Sequence, residues 1–368
     1  MTKRYPEAEL IELENQFSFA SDDVYYYNAH RPASLVNRLK NRVAEFDPSV
    51  IDSIIDKSLG EKVLEKTVSQ YFGTGHVIVF VKTSNERDLV IRATHALAEP
   101  EKYIDFENEI IKRYKSVGIP STEIIASDAS RTHFPFDYQI MVPLTGKDLE
   151  IEWDGSKSQY DKLSLELGRM IARQYQLKGS GWGRLKRDDS NEIIGSKATH
   201  NDYLTTYLEH DLAVFNLFDL TSPDGTNDIR EYFGSKDLKS LFSDEVNSYF
   251  VHHDIADHNI RYSGDRVIAL YDWENAIFYD PISDIGSAPT WKTHHPREQL
   301  LRQGFLEELG AAPNNFEVKA DVYYLRTMIW KIQFALKGKR LSTRHLELFT
   351  DALHRNNLFL KLNLDLIT

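Results

Sequence analysis

The apolar positions of the chain first fall into a helical period. Leu10, Ile11, Leu13 and Phe17, then Leu35, Val36, Leu39 and Val43, stand three or four apart among polar residues. The pattern predicts a helical extension over residues 1–46 with one face docked on the body of the protein. Tyr25-Tyr26-Tyr27, between the two sets, fits no period. At Asp47-Pro48 the marks of a helix start coincide, a capping carboxylate followed by a proline that needs no N–H, and Val50, Ile51, Ile54 and Ile55 carry the helix to Gly60.

The pattern then turns strand-like. One run leads to Tyr71-Phe72, a second covers residues 77–82 and a third 89–93, the last reached through the polar turn 83–88. Between the first two, Phe72-Gly73-Thr74-Gly75-His76 is a tight turn in which backbone amides can approach a phosphate, although glycines in hairpin turns more often serve the dihedral angles alone. An acidic helix over 103–114, two strands over 123–127 and 138–142, and the breakers Pro143 and Thr145-Gly146 follow. Residues 142–148 read as a hinge between lobes.

Beyond residue 149 the period is again that of helices. Leu163, Leu165, Leu167, Met170, Ile171 and Tyr175 share a face, glycines cluster at 179–183, and residues 186–196 read as a loop. Helices are expected over 203–218, 238–249, 320–336 and 343–358. The expected fold is therefore α+β and bilobal, with an extension at 1–46, a small antiparallel β-sheet lobe at 47–147 and a larger, mainly helical lobe at 148–368.

One stretch carries the densest chemistry: residues 251–286, VHHDIADHNIRYSGDRVIALYDWENAIFYDPISDIG. Asp254 opens a loop, Asn259 closes it, a hairpin turns at Ser263-Gly264-Asp265, and Asp272 stands where the second hairpin strand runs out. Two carboxylates and an amide oxygen are delivered to one end of a β-ribbon, a set suited to a hard divalent cation and a hydroxyl activated beside it. A lone Asp or Asn in a loop is usually a turn or cap residue. The joint spacing lifts these three above that reading, whereas Asp257 and His258 lack such support and are taken as loop residues.

Composition narrows the picture. A net charge of −12 over 368 residues argues against general affinity for nucleic-acid phosphates and suits acidic steering of a cationic small substrate. Cysteine is absent, which excludes disulfides and thiolate metal sites. The first residues hold no apolar targeting core and no run approaches a membrane span, so a soluble, cytoplasmic protein is expected.

His252-His253-Asp254-Ile255-Ala256-Asp257-His258-Asn259 fits HxDxxxxN, Asp272-Trp273-Glu274 follows at kinase-like spacing, and Asp280-Pro281-Ile282-Ser283-Asp284 fits DPxxD. Together these resemble the aminoglycoside phosphotransferase family of small-molecule kinases, which share the protein-kinase-like fold. The resemblance implies Asp254 as catalytic base, Asn259 and Asp272 as ligands of Mg²⁺ on the phosphates of ATP or GTP, and Arg92 as the phosphate-binding cation. It implies Glu107 or, less well spaced, Glu109 as partner of Arg92. Val142 and Leu144 would receive the base through a carbonyl and an amide, Gly73 and Gly75 would belong to the phosphate-covering turn, and His252 and Asp284 would shape the catalytic loop. Three positions depart from the family's habit: His253 and Tyr279 stand where glycine is usual, and Gln174 where histidine is frequent. A protein kinase is disfavoured by Ala256, by Trp-Glu after Asp272 and by the lack of a downstream Ala-Pro-Glu.

The implied acceptor is the hydroxyl of a small molecule, an aminoglycoside-like antibiotic among them, with antibiotic resistance as the implied role. Asp188, Asp189, Glu209 and Asp211 are the carboxylates available for a polyamine. Two alternatives stay open: a metal-dependent His/Asp phosphohydrolase recruiting His200, Asp202, His210 and Asp211, and a nucleotide-binding pseudoenzyme.

Overall fold

The structure, a computed structural model, describes residues 5–17, 41–69, 76–94, 104–243 and 246–367. The expectations for Tyr25-Tyr26-Tyr27, for Leu35, Val36 and Leu39, and for the turn with Gly73 and Gly75 lie outside these.

Two pieces of the extension are described, a single helical turn at Arg42–Glu45 and, before it in the chain, helix α1 (Glu7–Glu14). It docks on the helical body: the Tyr5 hydroxyl donates to the Lys337 carbonyl at 2.7 Å, and Glu14 lies 3.0 Å from His210 Nε2 and 2.6 Å from Lys337 Nζ. Helix α2 (Val50–Leu59) begins after a turn in which the Asp47 carboxylate accepts from the Ser49 N–H at 2.9 Å, two residues later than Pro48 suggests. It stops at Gly60, where φ is +67° and the N–H bonds to the Asp56 carbonyl. Open space surrounds that position, so the dihedral angle alone calls for glycine.

Five antiparallel strands follow: β1 (Val63–Val68), β2 (Val77–Thr83), β3 (Asp88–Ala93), β4 (Ile124–Asp128) and β5 (Tyr138–Met141), in the order β1-β2-β3-β5-β4. Period-two alternation turns Val77, Val79 and Val81 toward Ile51, Ile54 and Ile55 of α2, forming the smaller core. Helix α3 (Ile104–Ser116) serves both halves of the protein. It offers Glu107 to the sheet, whereas Ile110, Ile111 and Tyr114 enter the larger core, the Tyr114 ring lying 4.3 Å from that of Trp273.

The larger half contains β6 (Lys147–Asp148), α4 (Lys157–Arg173), the hairpin β7 (Trp182–Arg187) and β8 (Ile193–Lys197), α5 (His200–Leu204), α6 (Leu208–Leu217), α7 (Pro223–Gly234) and α8 (Lys236–Leu241). After them come β9 (Tyr249–Val251), β10 (Ile260–Ser263), β11 (Arg266–Leu270), β12 (Ile277–Tyr279), α9 (Ile282–Ser287), α10 (Glu298–Leu309), α11 (Phe316–Lys337) and α12 (Thr343–Arg355). Helices α4 and α10 cross in backbone contact. A Cβ on Gly168 would stand 2.2 Å from the Leu301 carbonyl oxygen, and one on Gly304 2.1 Å from that of Leu165.

Three expectations are corrected here. Residues 186–196 are no loop but the end of one strand and most of the next, with Leu185 and Ile193 buried and the turn closed by Asp188 Oδ1 accepting from the N–H groups of Ser190 and Glu192. The helix expected over 203–218 is two, broken at Tyr207, where φ is +60°. The helix expected over 238–249 ends at Leu241, and Tyr249 already belongs to β9, which pairs with β12.

Candidate active site

Strand β9 feeds the loop that runs to Asn259. His252 is completely buried, with Nε2 3.1 Å from the Tyr271 carbonyl and its ring 4.4 Å from that of Trp273. Burial pulls its pKa below the ordinary value, so the imidazole is neutral and donates to that carbonyl, tying the loop to the segment that bears Asp272. His253 has φ +64°, a left-handed conformation that costs a side-chain-bearing residue roughly 1 kcal/mol and suits glycine. That explains why glycine is the usual residue at this place. Asp284 holds the same backbone from below, accepting from the His253 N–H and from Gln174 Nε2 at 3.1 Å. Complete burial pushes the Asp284 carboxyl up to about 7 in spite of these bonds.

The Asp254 carboxylate is about one-fifth exposed, at 21%. Burial would raise its pKa, but the neighbouring His258, whose Nε2 lies 3.6 Å away, and the charges of His252 and Lys331 outweigh it, and the carboxyl is held below the ordinary value. It is therefore ionised at neutral pH and able to accept a proton. Asn259 donates from Nδ2 to the Asp254 carbonyl at 2.9 Å and to its Oδ2 at 3.1 Å. With both amide hydrogens committed, its Oδ1 is left as the acceptor.

Asp272 ends the run from β11 in a left-handed conformation, φ +64° and ψ +69°, which aspartate tolerates better than most residues. The segment is fastened to the turn after α3: the Leu270 N–H bonds to the Pro120 carbonyl at 2.9 Å, and Trp273 Nε1 to Ser121 Oγ at 3.0 Å. The Tyr271 N–H bonds to the Asn259 carbonyl at 3.1 Å, which sets the backbone of Asp272 beside that of Asn259, and the Asp272 charge favours the protonated forms of His252 and His258. An amide oxygen and a carboxylate are hard donors that fit Mg²⁺, an ion whose remaining positions go to phosphate oxygens and water.

On the sheet, Arg92 and Gln139 are cross-strand neighbours, and both reach Glu107. Arg92 forms a buried ion pair with it, and Gln139 Nε2 donates to it at 2.6 Å. Glu109 instead pairs with Arg113 and lies 3.8 Å from Arg187, which decides the choice between the two glutamates. Val142 directs its N–H to the Glu123 carbonyl at 2.9 Å, its own carbonyl receives only a 3.4 Å approach from Thr122 Oγ1, and the Leu144 N–H bonds to no described residue. Gly73 and Gly75 lie outside the described residues.

Two residues of the loop depart from the reading made of them. Asp257 is buried, accepts from the Tyr160 hydroxyl at 2.8 Å and is paired with Arg297 Nη1 at 2.5 Å, which also anchors the loop through the Ile255 carbonyl. His258 stands beside the catalytic candidate, a position whose only trace in the sequence is the four-residue spacing from Asp254. The Asp254 carboxylate beside it raises the pKa of His258.

Asp254, His253 and His258 line one wall of a cavity of about 520 Å³, with Tyr203, Tyr279 and Lys331 among the residues around it. The four carboxylates anticipated for a polyamine are not in its lining. Asp188 closes the β7–β8 turn, Glu209 pairs with Arg230, and Asp211 is buried against Arg326 at 2.9 Å; Asp189 is exposed. Nor does a His/Asp metal centre assemble. His200 bonds to the Tyr323 hydroxyl at 2.7 Å, His210 to Glu14 and Asp211, and among the described residues no group of three His, Asp or Glu is placed to hold a metal. No described helix is long and apolar enough to cross a membrane.

No curated protein sequence matches the chain significantly. Solved structures share its fold at low identity. A candidate fructosamine-3-kinase from Thermobifida fusca matches with a TM-score of 0.59 and 10% identity over 84% of this chain and 99% of its own. A thermostable mutant of aminoglycoside phosphotransferase APH(4)-Ia, in a ternary complex with AMP-PNP and hygromycin B, matches with 0.56 and 16% over 84% and 97%. The streptomycin-ATP-APH(2")-IIa complex matches with 0.54 and 12% over 85% and 99%. The phosphotransferase enzyme family matches residues 73–318, more than half of the chain and the whole of the loop and ribbon described above. The chain belongs to that family of small-molecule kinases.

Proposed function

We propose that this enzyme transfers the γ-phosphoryl group of ATP, or of GTP, to a hydroxyl of a small molecule held in the 520 Å³ cavity, with the nucleotide seated between lobes of residues 47–147 and 148–368. Asp254 accepts the hydroxyl proton as the acceptor oxygen bonds to the γ-phosphorus and the bond to the β-phosphate oxygen breaks, releasing the nucleoside diphosphate. Asn259 Oδ1 and Asp272 hold Mg²⁺, which neutralises phosphate charge when bound. Arg92, oriented by Glu107, faces the phosphates, the turn with Gly73 and Gly75 covers them, and the Val142 carbonyl and Leu144 N–H receive the base. His252 and Asp284 fix the loop backbone.

One observation carries the reading. Asn259 grips both the carbonyl and the carboxylate of Asp254, so a metal ligand and a base are set in fixed relation at the wall of a cavity sized for a small molecule. The neighbour bound to hygromycin B makes aminoglycosides one class to test. Nucleotide consumption followed over antibiotics, sugars, sugar derivatives and amino alcohols tests the proposal. An acceptor-dependent rate that Asp254→Ala abolishes supports it, and no acceptor-dependent rate across the panel counts against it. In the pseudoenzyme reading, Asp254→Ala would leave every observable unchanged.

A further inference from the structure

The charges around the acceptor cavity run opposite to those of the whole chain. The protein carries a net −12, yet among the described residues Asp254 is the only carboxylate in the cavity lining. Sharing the lining with it are Lys331 on α11, Arg340 on the segment between α11 and α12, and His345 in the first turn of α12, with Arg344 next to His345 in the chain. None of these is neutralised by an acid in contact. The Lys331 ammonium donates to the Thr290 carbonyl at 3.1 Å, Arg344 Nη2 to the Trp291 carbonyl at 3.1 Å, and the Arg340 guanidinium lies 4.3 Å over the Phe334 ring. Their mutual repulsion has a second sign: burial, together with the charges of Lys331, Arg340 and Arg344, depresses His345, and burial, opposed by the Asp254 charge and aided by that of Arg344, pulls Lys331 down to about 8. Arg326, also in the lining, is by contrast balanced by Asp211.

Cations that outnumber the carboxylates around them are costly in a fold and are relieved by a bound anion. Trp330, stacked on Phe334, adds a flat apolar surface beside them. From this juxtaposition, and resting on the phosphotransfer reading above, we infer that the acceptor is a hydroxylated anion, a sugar-sized molecule whose phosphate or carboxylate is held by Lys331 and Arg340 while a hydroxyl meets Asp254. A guanidinium with free N–H groups takes either anion in two-pronged fashion. A polycationic aminoglycoside would meet like charge at the same place, which is the repulsive half of specificity.

The test measures binding to the full chain by calorimetry at low salt, using glucose 6-phosphate, glucuronate, glucose and kanamycin as probes. At least one of the two anions is expected to bind tenfold or more tightly than glucose, with kanamycin weakest. The ratio between glucose 6-phosphate and glucuronate tells whether phosphate or carboxylate is the better group. Arg340→Glu should erase the anion preference while its unfolding midpoint shows the fold intact. Glucose or kanamycin binding as tightly as either anion, no binding of either anion, or a preference that survives Arg340→Glu each overturns the inference. Turnover separates this from the parent reading. An anion preference without acceptor-dependent nucleotide consumption would sink phosphotransfer and keep the anion site, whereas phosphotransfer to neutral or cationic acceptors would do the reverse.

Discussion

Asn259 holds Asp254 at two points, 2.9 Å to the carbonyl and 3.1 Å to the carboxylate, from a side chain that is itself buried. The base candidate cannot swing independently of the metal-ligand candidate. Asn259→Ala removes both the grip and the Oδ1 donor. Turnover is expected to fall on the order of 10²-fold or more, the scale set by loss of positioning. Steady-state kinetics on the best acceptor read this, and a kcat within a factor of three of wild type would contradict it.

Arg92 and Glu107 form an ion pair closed off from water, with side-chain exposures of 9% and 3%. Taking the carboxylate away from a buried guanidinium costs about 3–5 kcal/mol. Glu109 pairs with Arg113 at the surface, where such pairs contribute roughly 0–1 kcal/mol. Urea unfolding of Glu107→Ala and Glu109→Ala should therefore differ several-fold in lost stability. Equal losses would contradict the assignment of Glu107 as the partner.

Asp284 gives a pH signature in the folded enzyme without ligands. Its folded pKa of about 7 lies above the ordinary 3.8, so the folded state holds the proton more tightly than the unfolded chain. The contribution is fully present below about pH 4 and is lost as pH rises to about 7, by up to about 4 kcal/mol. Asp284→Asn keeps an acceptor for the His253 N–H and cannot ionise. Denaturant midpoints between pH 4.5 and 7.5 should slope downward in the wild type and lose much of that slope in the variant, and parallel curves would contradict the account.

The small sheet, its covering helix and the long helices were legible in the sequence because each buries one face, and burial writes a period. Val77, Val79 and Val81 alternate, and Ile51, Ile54 and Ile55 recur at helical spacing. The β7–β8 hairpin was not legible. Its outward residues are Lys186 and Arg187 and its turn is Asp-Asp-Ser-Asn, so the polar pattern of a loop conceals two paired strands. The break at Tyr207 leaves no mark, since nothing in a tyrosine announces a positive φ. Asp254, Asn259 and Asp272 could be singled out as candidates because motif spacing survives in one dimension. The basic face opposite Asp254 could not, because Lys331 and Arg340 come from α11 and the segment after it, remote in sequence from the loop they confront. An acidic total charge points toward a cationic acceptor, the opposite of the kind inferred from this basic face.

The central claim is that Asp272 holds the metal-bound nucleotide whereas Asp254 acts on the incoming hydroxyl. Titration of ATP in the presence and absence of Mg²⁺ into wild type, Asp272→Ala and Asp254→Ala tests it directly. The account predicts that Asp272→Ala loses the Mg²⁺-dependent gain in affinity and that Asp254→Ala retains it while turnover falls by about 10²–10⁴-fold. Unaltered Mg²⁺-dependent binding in Asp272→Ala, or full turnover in Asp254→Ala, would contradict it.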